Sequence, residues 1–393
     1  MANTISANLI PSIIGMGREA LCENVAYLGL VTPNFSEAQG KVGQSVDIGI
    51  PATLTAESVT AANTAPAPSA ITNGVTTLTI DNFEKTSFAI SGTDNQNYDV
   101  NSYIEQQMRE AVRGLVYKMN GDLITEAWKG VPYAVGNTGT GFFASNYDGL
   151  MDLRSGLLGR NVDVSKMAGV FSLKDTAALG KNDQVQNANQ FGNRDLQTFG
   201  MVGRVAGVDI YEDQQATANT KGTITGATMG AAAVTASTTV LTCATGEGVA
   251  LKQGDVIAID GATYSVQADL NIAAGSTGTL TVDRNWETAL DGDETLAFAT
   301  ASDGDGGVYD AATLRNIAGD FSGLASVIRR PATEFLGGTT QGDHYPIVDE
   351  KSGVVVNLGV YQQYHQIAFE VSAVYGHRCV DSRKLSKVFT YSS

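Results

Sequence analysis

Cysteine is scarce in this chain. Cys22, Cys243 and Cys379 lie far apart and show no Cys-x-x-Cys spacing, which excludes a disulfide framework and points to a reducing compartment. Histidine is equally scarce, with His344, His365 and His377 the full complement. Charged residues make up 17% of the chain, against about a quarter in an ordinary globular protein. Basic charge is thinner still: 25 Lys and Arg face 41 Asp and Glu, for a net −16. A nucleic-acid binder needs a basic footprint to displace counterions from phosphates, and none is present. Such a charge suits a wall around a nucleic acid better than a clamp on it. No window approaches the ~18 apolar residues of a membrane span. The start, Met1 to Ser12, lacks the basic-then-apolar order of a signal peptide. A soluble protein made in a cytoplasm is expected.

What replaces the charge is Gly, Ala, Ser and Thr, on a chain that is 43% hydrophobic and 393 residues long. That length exceeds one ordinary core, so two or three modules are expected. Low surface charge with many small residues suggests a surface largely covered by partners, a signature shared with thin-walled β proteins.

Along the chain, Ile5, Leu9, Ile13, Met16 and Ala20 fall at helical spacing, interrupted by Pro11. Residues 1–35 read either as an apolar arm that docks elsewhere or as a first helix on the chain's own core. Val46, Ile48 and Ile50 alternate with polar neighbours, as do Leu78 and Ile80, then Phe88 and Ile90. This period predicts paired strands over 41–55 and 75–91. Between them Ala56 to Gly74 has almost nothing to bury, and reads as a disordered loop or as the tip of a two-stranded arm over a neighbour. Such a ribbon is marginal alone in water, so the second reading requires a partner surface.

Ile104, Met108, Val112, Leu115, Met119 and Leu123 predict a long helix over 98–129, with Asp99 as N-cap, Glu105–Arg109 as an i,i+4 pair, and Gly130-Val131-Pro132 as the stop. A helix at Leu150 to Leu157, a strand at Met167 to Ser172, a short helix at Leu173 to Leu179, a polar loop over 181–200 and a strand at Val202 to Tyr211 follow. This alternation indicates an α+β unit. Residues 217–239 then lose all aromatic character. Short β runs at Val240–Cys243, Val256–Ile259, Tyr264–Val266, Thr279–Val282 and Thr295–Phe298, with turns such as Asp260-Gly261, read as a small barrel or sandwich. Three basic against nine acidic residues between Asn219 and Thr300 give this inserted module a net −6. Residues 309–330 are expected to return to helix, ending at Arg329-Arg330-Pro331. Val354 to Leu358, then Ile367 to Tyr375, alternate as strands, and a last strand is expected near Leu385 to Phe389.

Chemistry is hard to assemble from these residues. No G-x-S-x-G, H-E-x-x-H or P-loop string occurs. His365 and His377 alternate with apolar residues and are expected to face solvent or an interface. His377 and Cys379 share i,i+2 spacing, but no second pair completes a zinc site. Gly136-Asn-Thr-Gly-Thr-Gly141 is glycine-rich like a phosphate cradle, yet lacks the following Lys-Ser/Thr and reads as a plain loop. Asp303-Gly-Asp-Gly-Gly307 offers oxygens for calcium but lacks the downstream bidentate Glu. No catalytic, cofactor-binding or metal residue is assigned, and no enzyme is expected.

The order of apolar arm, long hairpin, long spine helix, α+β unit and terminal strands resembles the major capsid fold of tailed phages, herpesvirus floors and encapsulins. Two strings carry the likeness locally. Ala373-Val-Tyr-Gly-His-Arg-Cys-Val-Asp-Ser-Arg-Lys-Leu385 resembles the aromatic–Gly strand turn that often ends these coat proteins. Leu251-Lys-Gln-Gly-Asp-Val-Ile-Ala-Ile-Asp-Gly-Ala-Thr-Tyr264 is similar to the inserted β-barrel of one short-tailed-phage coat family. The resemblance implies an N-terminal arm (1–35), an extended hairpin loop (36–92), and a peripheral domain (93–139 and 346–393) holding the spine helix 98–129. It further implies an axial domain (140–218 and 301–345) interrupted by the inserted β-barrel domain (219–300). It also implies hexamers and pentamers in an icosahedral shell, a scaffolding protein, a portal protein, decoration proteins in some relatives, and packaged double-stranded DNA enclosed without sequence-specific binding. The site of action would be the virion, after assembly in a host cytoplasm. Some relatives crosslink a loop lysine; Lys85 falls in the arm on this reading, without a context that supports the bond. The alternative function is a secreted or surface β-rich module that binds calcium or a glycan.

Overall fold

The computed structural model describes residues 26–31, 33–50, 74–92, 100–144, 148–182, 203–299, 306–332, 334–335, 338–339, 342–349 and 354–391. Most of the 1–35 segment, the 56–73 tip, Asp99 and the Asp303–Asp305 pair therefore lie outside the described residues.

The spine helix, Val100–Gly130, has 31 residues and at ~1.5 Å per residue is about 46 Å long. Ile104, Met108, Val112, Leu115, Met119 and Leu123 are each 5% exposed or less, and Ala111, Val116, Ile124, Ala127 and Trp128 widen the buried stripe. That stripe lies on a six-stranded sheet whose central strand is Gln366–Cys379. Asn82–Ser91 runs antiparallel along one edge of this strand. Its other edge is shared end to end by Val354–Gln363 and Leu324–Pro331. Phe369, Val371, Ala373 and Tyr375, on one face of the strand, join the helix stripe in the largest core. Gly130 ends the helix where a Cβ would stand 2.3 Å from Cys379 Cβ, so only glycine permits this approach.

A second sheet has seven strands in the order Gly306–Val308, Ala134–Asn137, Leu385–Phe389, Asn316–Gly319, Ala168–Ser172, Val208–Asp213, Arg204–Val205. Helices Asp148–Gly159 and Leu173–Lys181 accompany it. Ser172 caps the second of these through its hydroxyl, which accepts from the Asp175 N–H at 3.3 Å. Phe142, Phe143 and Phe171 cluster with Leu150, Leu153 and Leu157 beneath the sheet. This sheet draws its last strand from 346–393 and others from 134–319, while Leu324–Pro331 joins the first sheet. A division at the bounds read from the sequence thus cuts across both sheets.

A third region has its own core, from Ala227 to Leu296, including Leu241, Ile257, Tyr264, Leu280 and Trp286. Three small three-stranded sheets surround it. Asp260 and Gly261, both at positive φ (48° and 80°), form the two-residue turn between Val256–Ile259 and Ala262–Ser265, as their sequence implies.

The structure corrects three readings. Residues 309–330 are not a helix: they form strands Thr313–Leu314, Asn316–Gly319 and Leu324–Pro331 around a short 3-10 turn, Phe321–Gly323. Leu314, Ile317, Phe321, Leu324 and Ile328 fall by chance at i, i+3, i+4 steps and are all buried. Gly319, at φ 142° against the Lys384 carbonyl, and Gly323 break the run. The 75–91 segment is two strands, not one. Gly74–Thr79 pairs with Ser45–Ile50 as a ribbon, and the chain then turns so that Asn82–Ser91 enters the main sheet. Lys85 therefore lies in that sheet, in an ion pair with Glu370 at 3.1 Å. The strand expected over Val202 to Tyr211 is a hairpin, Arg204–Val205 with Val208–Asp213, turned at Ala206-Gly207.

Candidate functional site: the ribbon and a buried junction

The residues with chemical potential do not come together. His365 is exposed in the turn between two strands of the main sheet, at φ 51°. His344 is half-buried, with its Nδ1 3.1 Å from Asn357 Nδ2. His377 departs from expectation: it continues the inward face of Phe369, Val371, Ala373 and Tyr375, and burial lowers its pKa to about 4. The parity of the strand carried that signal. Cys379, two residues on, faces the same way, and burial raises its thiol well above the ordinary range. Among the described residues no three His, Cys, Asp or Glu side chains are grouped to hold a metal ion.

The glycine loop is committed to the fold. Gly136, at φ 97°, lies against the Phe389 carbonyl. The Thr138 N–H donates to Val308 O at 3.1 Å and the Gly139 N–H to Asn137 Oδ1 at 2.7 Å. Those amides are not free to cradle a phosphate. Arg329 and Arg330 lie within a strand of the main sheet, where burial lowers the Arg329 pKa.

Two features stand out instead. The first is the ribbon of Ser45–Ile50 and Gly74–Thr79, whose strands pair only with each other among the described residues. Its base is anchored: Leu78 and Ile80 are buried with Val327 and Val374 of the main sheet, and Val46 and Ile48 pack against them. Toward the far end Val75 is 64% exposed, and Val42, in the turn at the base, is 56% exposed.

The second is a buried polar junction where the spine helix, the last strand and the third region meet. Lys387 has no exposed surface. Its Nζ donates to Gly254 O at 2.7 Å and Ser265 Oγ at 3.0 Å, and lies 4.9 Å from the Trp128 ring centroid. Burial lowers its pKa to about 7, against the pull of Asp283 and Asp255. Asp255 is also fully buried; it accepts from Tyr309 OH at 2.7 Å, Lys252 N at 2.8 Å and Gly222 N at 3.1 Å. Burial raises its pKa despite those bonds. Tyr309 stacks on Phe389 at 4.9 Å, which closes the network onto the last strand. Gly254, at φ 87°, brings its backbone so near the indole that a Cβ would lie 2.3 Å from Trp128 Cδ1. Buried polar groups of this kind must be bonded, and their geometry fixes how the elements dock. The sequence held a hint of Lys387: it is a charge at an inward position between Leu385 and Phe389.

No helix among the described residues is long and apolar enough to cross a membrane. No protein-family model matches the chain, and no curated protein matches it. Solved structures do. A structure of Mycobacterium phage Che8 is 13% identical and matches over 93% of this chain and 90% of its own, at a TM-score of 0.48. The capsid of cyanophage P-SCSP1u is 13% identical over 92% and 87%, at 0.49. The mature capsid of bacteriophage PhiM1 is 10% identical over 93% and 87%, at 0.48. The solved structures to which this chain is similar thus include phage capsids.

Proposed function

We propose that this chain is a structural shell subunit, the coat protein of a tailed bacteriophage. The observation that carries the reading is the ribbon. Two strands with no other pairing partner among the described residues extend from a base packed on the main sheet, with Val75 exposed toward the far end. A two-stranded ribbon is marginal in water, so one that extends from the body is stabilised where a partner covers it. A second copy of the chain supplies that partner in a symmetric assembly, where many weak contacts add up. The acidic balance of −16 suits a wall around DNA rather than a clamp on it.

On this reading the subunits form hexamers and pentamers of an icosahedral shell around packaged double-stranded DNA, with scaffolding and portal proteins as assembly partners. Residues 219–300 act as an inserted domain held to the body through the Lys387 junction. The test is sedimentation of the purified protein beside two variants, Val75→Asp and one with 51–73 replaced by a short Gly-Ser linker. Fast-sedimenting particles from the parent and slow species from both variants, with unchanged circular dichroism, support the reading. Variants that assemble as the parent does remove the ribbon from it.

A further inference from the structure

We propose that His377 is an acid-sensitive latch: its neutral imidazole holds the spine helix on the main sheet, and a proton on that ring opens the contact locally. The imidazole continues the inward face of the central strand, with its ring centroid 5.1 Å from that of Tyr375, and meets the helix near Met119. On the neighbouring strand Ser326 stands directly opposite. Among the described residues neither ring nitrogen of His377, nor the Ser326 hydroxyl, has a hydrogen-bond partner, and all three atoms are buried. Buried polar atoms without partners are rare, and their cost stays modest here only while the ring is uncharged.

The surroundings offer a proton no free counter-charge. The Asp122 carboxylate of the helix favours the charged ring, as does the Met119 carbonyl. Asp122, however, already accepts from the Tyr375 hydroxyl at 2.6 Å and pairs with Lys118 at 2.8 Å. The Met119 carbonyl belongs to the helix ladder, and no bond of normal geometry joins it to the ring. Along the strand itself the neighbours are the Tyr375 phenol and the Cys379 thiol, both held neutral by burial. Glu126, Asp283 and Asp381 act on that thiol, and Glu84, from Asn82–Ser91, acts on Tyr375 and Lys118. Leu324–Pro331 contributes the uncharged Ser326.

Burial outweighs these pulls and lowers the His377 pKa from 6.5 to about 4. Between those values the folded chain binds fewer protons than the unfolded one. The stabilisation is therefore complete above pH 6.5 and is lost as the pH falls toward 4. Part of His377 meets solvent although its nitrogens do not, so a small outward movement of the helix hydrates the ring without unfolding the rest. The latch is independent of the shell reading.

Hydrogen exchange of the full-length protein, read by mass spectrometry, compares peptides from the helix (104–124) and from the third region (241–259). His377→Phe keeps a ring against Tyr375, His377→Gln keeps a polar group, and neither titrates. Relative to either variant, the helix of the parent should open about twentyfold more at pH 5 than at pH 7, while the third region keeps one ratio at both. If one variant does not fold, the other carries the comparison. Imidazole titration of the parent by NMR needs no variant: of three histidines, one ring should stay neutral down to about pH 4. Helix exchange with an unchanged ratio to the variants overturns the latch. So do three rings that all titrate above pH 6, or acid opening of equal size in the helix and the third region.

Discussion

Raising the pH from 7 to 9 should strengthen this protein through one buried amine. Lys387 is fully buried, which lowers its pKa from 10.5 to about 7, while in the unfolded chain it returns to about 10.4. Above pH 7 the folded protein has released a proton that the unfolded chain still holds. Stability rises with pH wherever the unfolded state binds more protons. This contribution is therefore complete above the unfolded value and is lost as the pH falls through 7. At ~1.4 kcal/mol per unit the whole shift is worth about 5 kcal/mol, of which about 2 kcal/mol accrues between pH 7 and 9. Cys379 limits the window from above: its thiol is raised from 9.0 by burial, so folding weakens once the unfolded thiol ionises. Lys387→Met keeps an unbranched stem beside Trp128 and removes the titration. Urea-unfolding midpoints of both proteins at pH 7, 8 and 9 give the difference directly, and groups that titrate in both cancel from it. The parent should gain about 2 kcal/mol on the variant across this range. Parallel curves would refute the reasoning, because they would mean that the buried amine keeps its proton.

Gly254→Ala should cost about 1–3 kcal/mol, from a positive φ and a Cβ forced onto Trp128. Limited proteolysis should then release the third region faster, and an unchanged digestion rate would separate this glycine from docking. Tyr375→Phe removes the phenol donated to Asp122 at 2.6 Å and should lower stability by about 1.5–3 kcal/mol, read by chemical unfolding.

Much of the fold was legible because its signals are local. The spine helix has an uninterrupted apolar stripe from Ile104 to Leu123, and Asp260-Gly261 names its own turn. The stretch 309–330 was misread because its strands, buried on both faces, carry no period-2 alternation. Its apolar residues then fell at helical spacing, and Gly319 and Gly323 were the only contrary signals. The split of 75–91 depends on which strand each half meets, and Glu370 and Val374 are nearly three hundred residues away in sequence. Lys387 stood out as a charge at an inward position, but the junction around it was not legible, for the same reason. Its donors and acceptors come from Gly254, Ser265, Asp255 and Tyr309, which only the folded chain brings to the last strand.

Electron microscopy of the purified protein, alone and with a scaffolding protein, tests the shell reading most directly. Hollow particles of uniform diameter, lost on replacing 51–73, are the result predicted. Single subunits at every concentration, with and without scaffold, would contradict it.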